Sequence, residues 1–176
     1  MKKLLCLLSL FVSFSAFAQS ASTWEMKSSL VKYTIKHLLK TAMGESKEIK
    51  GKGACDKGNC EFLLAVAVKS FDSGNTNRDL HMLEVMKGAK FPFVVARVNI
   101  PEASLKSKSW KGDLELEMSG VKKMVPVTLE IAEDKGFIHG DFIFKCTDFG
   151  IERPSFLTMA IDDEVQMTVN TQWVKK

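Results

Sequence analysis

The segment SLVKYTIKHL, residues 29–38, sets the pattern that the rest of the chain follows. Val31, Tyr33, Ile35 and His37 occupy every second position, and lysine or threonine stands between them. A period of two is typical of a β-strand that buries one face and exposes the other. This segment is therefore predicted to be a strand with those four side chains directed inward.

The same alternation returns near the C-terminus, where Val165, Met167, Val169, Thr171 and Trp173 share one face. Five more apolar or alternating runs lie between the two segments, namely EFLLAVAVKSF (61–71), FPFVVARVNI (91–100), GDLELEMSG (112–120), MVPVTLEI (124–131) and GFIHGDFIFKC (136–146). A weaker strand over Ser46–Lys52 brings the total to about eight. The chain is therefore all-β and antiparallel, and its strands either stack as two sheets or close into a barrel.

One segment departs from this period. From Asp79 onward, apolar residues recur at helical spacing as Met82, Val85, Met86 and Ala89. Asn77 or Thr76 is expected to cap the start of this helix and Gly88 to end it. One or two short helices are thus expected in an otherwise β chain.

The first eighteen residues have the pattern of a secretory leader. Lys2 and Lys3 precede an apolar run, and Ala16-Phe17-Ala18 resembles a cleavage site, so we expect cleavage before Gln19. Residues 19–176 then form a single domain, located in the periplasm or secreted, without a membrane span. The formal net charge is only +4 and the lysines are interspersed with acids, which disfavours a nucleic-acid partner.

The cysteines favour a disulfide. Cys55 and Cys60 flank a sequence typical of a turn, and an exported chain meets an oxidising compartment. A metal site is the alternative, but two cysteines without a second pair or a nearby histidine support it poorly. Cys146 is expected to be a buried small side chain, and the odd number of cysteines leaves pairing between chains open.

The common catalytic motifs are absent from the sequence. It has no G-x-S-x-G, no H-E-x-x-H and no phosphate-binding loop. Imidazole comes only from His37, His81 and His139, whose wide spacing disfavours a three-histidine metal site. No catalytic residue and no metal site is therefore predicted.

Arg78 and Asp79 at the helix start have two interpretations. In the structural one, Asp79 accepts bonds from free N–H groups and Arg78 donates to carbonyls of the preceding loop. In the functional one, Arg78 and His81 contact the polar end of a ligand at a barrel mouth, although His81 lies off the apolar stripe. Met82 and Met86 are further candidates for this entrance.

A larger set of residues is expected to face the interior, because each lies on the apolar face of its strand. These candidates for ligand binding are Val31, Tyr33, Ile35, His37, Phe62, Leu64, Val66, Val94, Val98, Leu114, Leu116, Met118, Val127, Leu129, Phe142, Phe144, Val165, Met167 and Val169. The pattern does not distinguish an open cavity from a filled core.

Five segments together resemble the YceI-like family of exported polyisoprenoid-binding proteins. They are VKYTIKHL (31–38), SFDSGNTNRDLH (70–81), Phe91-Pro92, GVKKMV (120–125) and DFGI (148–151), and the likeness runs from about Thr23 to Lys175. Three features depart from the family pattern: Tyr33 stands where Phe is frequent, the helix region reads MLEVMKGAKFP (82–92) where many members have a more acidic, aromatic stretch before Pro, and the Cys55/Cys60 pair is not part of the pattern.

The resemblance implies a lipocalin-like barrel whose apolar interior holds an isoprenoid lipid, such as a quinone tail, for transport, storage or sequestration. It implies no other cofactor, and a homodimer is possible. Two alternatives stay open. One is a secreted stress-response or interaction module with a filled core, and the other is an enzyme acting on a small apolar substrate.

Overall fold

The computed structural model describes residues 22–36, 40–153, 155–156 and 159–176. Its strands are β1 (Ser22–Ile35), β2 (Ala42–Ser46), β3 (Lys50–Asp56), β4 (Asn59–Ala67), β5 (Phe93–Pro101), β6 (Ser109–Met118), β7 (Val121–Ala132), β8 (Phe137–Lys145), β9 (Ser155–Phe156), β10 (Met159–Ala160) and β11 (Glu164–Lys175). The helices are α1 (Thr76–Val85) and α2 (Glu102–Leu105), with 3-10 turns at Val68–Ser70, Glu133–Lys135 and Cys146–Phe149. The predicted leader and His37 lie outside the described residues.

Nine of the strands form one antiparallel sheet in the order β11-β8-β7-β6-β5-β4-β3-β1-β2. A further pairing of β1 with β11 closes this sheet on itself, with partners from Trp24↔Lys175 to Ile35↔Val165. The result is an eight-stranded barrel with β2 as an extra strand, so the barrel prediction is confirmed and the two-sheet alternative is wrong.

The strand predicted over Ser46–Lys52 is wrong. That segment contains the last residue of β2, a bend and the start of β3, because the chain turns there rather than running straight. The Ser46 hydroxyl holds this turn, since it is 2.7 Å from the Ser70 hydroxyl and accepts a bond from the Glu48 N–H. β1 therefore has two successive partners on one side, β3 along its first half and β2 along its second.

One end of the barrel is closed by large side chains. The rings of Trp24 and Phe62 lie 6.2 Å apart, and those of Phe62 and Trp173 lie 5.1 Å apart, all three buried. The predicted disulfide between Cys55 and Cys60 is confirmed and joins directly paired residues of β3 and β4 at this end. Because these sulfurs are bonded to each other, they are not available as thiolate ligands for a metal.

The other end of the barrel is less regular. The pairing of β7 with β8 starts only at Val127, although β7 begins at Val121. Pro126 lies immediately before this point, and proline has no N–H with which to extend a ladder. The segment that follows β8 supplies buried side chains beside β7, with Phe149 only 1% exposed and Ile151 also buried.

Helix α1 differs in its ends from the prediction. It starts at Thr76, and the side chain of Asn75 accepts the cap bond from the Arg78 N–H, so neither Thr76 nor Asn77 is the cap. It ends at Val85, before Gly88, whose N–H bonds the Leu83 carbonyl oxygen. An asparagine side chain satisfies an otherwise free N–H at a helix start, which explains the earlier beginning.

A small hydrogen-bond network fixes α1 to the loop before it. Asp79 accepts bonds from the Ser73 hydroxyl at 2.5 Å and from the Ser73 N–H at 3.2 Å. Arg78 donates from Nε to the Ser73 hydroxyl and from a terminal nitrogen to the Ser73 carbonyl oxygen. The hydrogen bonds of the structural interpretation are therefore confirmed. Asp79 accepts from a backbone N–H and Arg78 donates to a loop carbonyl oxygen, and Ser73 provides both groups.

We expect Asp79→Ala to lower the free energy of unfolding by about 1 to 2 kcal/mol, because it leaves Ser73 and Arg78 without their carboxylate neighbour. Glu84→Ala on the same helix is the matched control, since Glu84 makes only an exposed pair with His81, and it should change stability by less than about 0.5 kcal/mol. Chemical denaturation of both variants measures the difference. Equal losses would contradict a structural role for Asp79.

Candidate functional site

A cavity of about 260 Å³ occupies the half of the barrel next to α1. We call it the upper chamber. Side chains of the barrel strands and of α1 form its wall, and nearly all of them are aliphatic, aromatic or thioether groups. The polar side chains among its lining residues are Tyr33, Arg78 and His81. Such a space can accept an apolar molecule and offers polar contacts at few points.

Most predicted interior residues line a cavity. The upper chamber is lined by Val31, Tyr33, Ile35, Leu64, Val66, Val94, Leu116, Met118, Phe142, Phe144, Val165, Met167 and Val169. The predicted entrance residues Arg78, His81, Met82 and Met86 also line it. Their contact with a ligand stays a prediction, and the position of His37 lies outside the described residues.

The remaining interior candidates line a second cavity of about 70 Å³, which we call the lower chamber. These are Phe62, Val98, Leu114, Val127 and Leu129. Trp173 also lines this chamber, and its indole N–H donates to the Thr171 hydroxyl, which donates in turn to the Ile138 carbonyl oxygen. The polar atoms of these two side chains are therefore already bonded within the protein.

Several lining residues are missing from the prediction. For the upper chamber they are Ala42, Ile49, Ala65, Phe71, Val85, Ala96, Cys146, Ile151 and Ile161, and for the lower chamber Ile100, Ile138, Gly140, Thr171 and Trp173. Ala96, Val85, Thr171 and Trp173 follow the same periodicity as their predicted neighbours, which could have identified them. Phe71, Ile151 and Ile161 lie in connections, where no periodicity exists to identify them.

Tyr33 belongs to β1, lines the upper chamber and lies opposite β2. Its ring packs near that of Phe71, with centroids 5.7 Å apart, and faces Gly44 on β2. A Cβ on Gly44 would come within 2.7 Å of the ring, so a larger residue there would displace Tyr33. Burial raises the pKa of the Tyr33 hydroxyl, and the nearby Arg78 guanidinium only partly opposes that change. The hydroxyl therefore stays neutral.

Cys146 is the unpaired cysteine of the described part of the chain, and it lines the upper chamber. It is buried, as predicted. Burial, together with the Asp163 carboxylate, raises the pKa of its thiol to about 11. A thiol with that pKa is almost wholly protonated at neutral pH and is a poor nucleophile.

The two described histidines lie apart from each other in the fold. His81 is on α1, and its Nδ1 is 3.3 Å from a Glu84 oxygen at an exposed site. His139 is on the outer side of β8. Its Nδ1 is 2.8 Å from the side-chain oxygen of Asn170, and its Nε2 is 2.8 Å from a carboxylate oxygen of Asp141. The Asn170 contact is the largest cause that raises the pKa of His139, and Asp141 adds to it.

Ligand atoms close enough for a metal occur, among the described residues, only at Cys55, Cys60 and Glu102. Two of these three are the disulfide cysteines. None of the helices in the described ranges is long and apolar enough to cross a membrane.

Comparison with solved structures identifies several proteins of similar fold. BcnA of Burkholderia cenocepacia is 17% identical, with 83% of this chain and 96% of that chain covered and a TM-score of 0.67. A polyisoprenoid-binding domain from Saccharophagus degradans, described as implicated in plant cell wall breakdown, is 12% identical, with coverage of 85% and 96% and a TM-score of 0.64. The YceI protein of Campylobacter jejuni is 20% identical, with coverage of 81% and 88% and a TM-score of 0.57.

These identities are low enough that the structural likeness speaks for the fold alone. No functionally curated protein matches the chain. The sequence profile of the YceI-like domain, however, matches residues 23–173, which is almost the whole of the described barrel. The chain therefore belongs to the YceI-like family.

Proposed function

We propose that this protein binds an extended apolar lipid of the isoprenoid type inside its barrel and carries or sequesters it. The observation that carries the proposal is the upper chamber, a 260 Å³ space whose wall is almost entirely apolar. Each methylene group that such a wall removes from water contributes roughly 0.8 kcal/mol. A polar molecule would lose its bonds to water there without replacement, so the site favours hydrocarbon chains.

The polar end of such a ligand would lie beside α1. Arg78 uses Nε and one terminal nitrogen for Ser73, which leaves its other terminal nitrogen for a ligand oxygen. His81 is more than half exposed and retains a second ring nitrogen for the same purpose. A single charged or hydroxylated end group at the mouth suits this arrangement.

Binding, rather than catalysis, is the activity that we propose. The thiol at the chamber wall has a pKa raised to about 11, which opposes a role as nucleophile. Asp79 and part of Arg78 are occupied by Ser73. The polyisoprenoid-binding description of the related Saccharophagus degradans domain supports the same choice.

We also propose that the protein acts outside the cytoplasm. The leader-like residues 1–18 and the disulfide between Cys55 and Cys60 both support this location, because disulfides persist mainly in oxidising compartments. The alternative of an interaction module with a filled core is weaker, since the upper chamber is an unfilled apolar space inside the half of the barrel next to α1.

If the chamber is open, a larger side chain can enter it at little cost. Ala96 lines both chambers, so Ala96→Phe should change the free energy of unfolding by less than about 1.5 kcal/mol. Val125 belongs to the core but lines neither chamber, and Val125→Phe should cost more, about 1 to 3 kcal/mol, by overpacking. Thermal and chemical denaturation measure both. A larger loss for Ala96→Phe would mean that the core is filled.

The Ala96→Phe variant also tests whether a lipid occupies the upper chamber. Mass spectrometry of an organic extract from the purified protein should detect an isoprenoid lipid near one per chain, and Ala96→Phe should reduce that amount at least about tenfold, because the new ring occupies the space. Ala54 is the matched control, since it lies on the exposed side of β3, and Ala54→Phe should retain the lipid. The proposal fails if no lipid is extracted or taken up on incubation, or if both variants retain it equally.

A further inference from the structure

The two chambers meet at one level of the barrel. Four residues line both chambers: Leu64, Ala96, Phe142 and Val169. We call these four residues the belt. Leu64 and Ala96 are direct partners on β4 and β5, while Phe142 and Val169 lie on the neighbouring strands β8 and β11. The belt therefore draws on two separate parts of the barrel wall.

The belt is a single layer of side chains. On each of its strands, the next inward residue toward α1 lines the upper chamber alone, as Val66, Val94, Phe144 and Met167 do. The next one toward the closed end lines the lower chamber alone, as Phe62, Val98, Gly140 and Thr171 do. Phe142 is the largest side chain of the belt.

The volumes set how much hydrocarbon each chamber accepts. A protein cavity of about 150 Å³ binds benzene, which has six carbons. On that scale the upper chamber, at about 260 Å³, accepts about ten carbons, and the lower chamber, at about 70 Å³, accepts about three. Ten carbons are two isoprene units, and part of a third would have to pass the belt.

Side chains fill the space below the lower chamber, so a ligand chain cannot extend further in that direction. Phe62 and Trp173 line that chamber, and their rings are packed against each other with Trp24 beyond Phe62. Two hydrogen bonds also hold Trp173 in place. Its backbone N–H donates to the Gly136 carbonyl oxygen at 2.6 Å, and its indole N–H donates to the Thr171 hydroxyl. Any further part of a ligand must therefore leave the barrel past α1.

We propose that the barrel buries two isoprene units above the belt and part of a third below it, and that Phe142 restricts how much of the chain passes the belt. The inference rests on the proposed function. It identifies the ligand as a short prenyl compound, or as a longer one of which only the terminal units are enclosed. Binding should then depend on chain length up to three units and become insensitive to length beyond them.

The test is a binding series with the linear alcohols prenol, geraniol, farnesol and geranylgeraniol, measured by isothermal titration calorimetry. Each methylene that becomes buried should tighten binding, at most by roughly fourfold. For the unmodified protein we expect a gain of about tenfold or more from prenol to geraniol, a smaller gain to farnesol, and a change below roughly threefold to geranylgeraniol.

Phe142→Ala should extend the length of chain that the barrel buries, because it removes the largest belt side chain and widens the passage between the chambers. The preference for geranylgeraniol over farnesol should rise about tenfold. Phe137→Ala is the matched control, since Phe137 lies on the same strand, is exposed and lines neither chamber. Phe142→Leu serves if the alanine variant does not fold, which circular dichroism establishes.

The outcomes separate the two proposals. If no alcohol binds to the folded protein, the proposed function fails. If affinity keeps rising to geranylgeraniol in the unmodified protein, the length limit is wrong while binding stands. If Phe142→Ala and Phe142→Leu leave the length limit unchanged, or Phe137→Ala moves it equally, the assignment to Phe142 is wrong.

Discussion

The pairing of β1 with β11 is the contact on which the rest of the structure depends. It joins the first and last strands from Trp24↔Lys175 to Ile35↔Val165 and thereby turns an open sheet into a barrel. Without it, the sheet would present two unpaired edges and its apolar face would contact water. Closure gives that face an interior instead. It also brings β11, which already pairs with β8, beside β1, so that Val165, Met167 and Val169 become part of the cavity wall.

Closure alone does not create a cavity, because an eight-stranded barrel is narrow enough for side chains to fill. The sizes of the inward residues decide the outcome here. Trp24, Phe62 and Trp173 fill the closed end, whereas Ala96 lies nearer the middle and leaves space. Helix α1 covers part of the other end and is held by Ser73. The barrel is therefore tightly packed at one end and hollow toward the other.

The sequence predicted much of this arrangement because a half-buried strand imposes a period of two, and that period was regular from β4 to β8. It failed at Ser46–Lys52, where the turn between β2 and β3 depends on the contact of Ser46 with Ser70, a residue distant in sequence. It also missed Ile151 and Ile161, which enter the chamber wall from irregular segments. Whether the core was open or filled could not be predicted, since it depends on the sum of side-chain volumes across the barrel.

The most direct test of the central claim, that an apolar lipid lies inside this barrel, is a crystal structure of the protein grown with farnesol. The account predicts elongated electron density in the upper chamber, with the hydroxyl end near Arg78 and His81 and the far end of the chain passing Phe142 into the lower chamber. Density bound only on the outside of the barrel, or an interior in which side chains occupy the upper chamber, would contradict it.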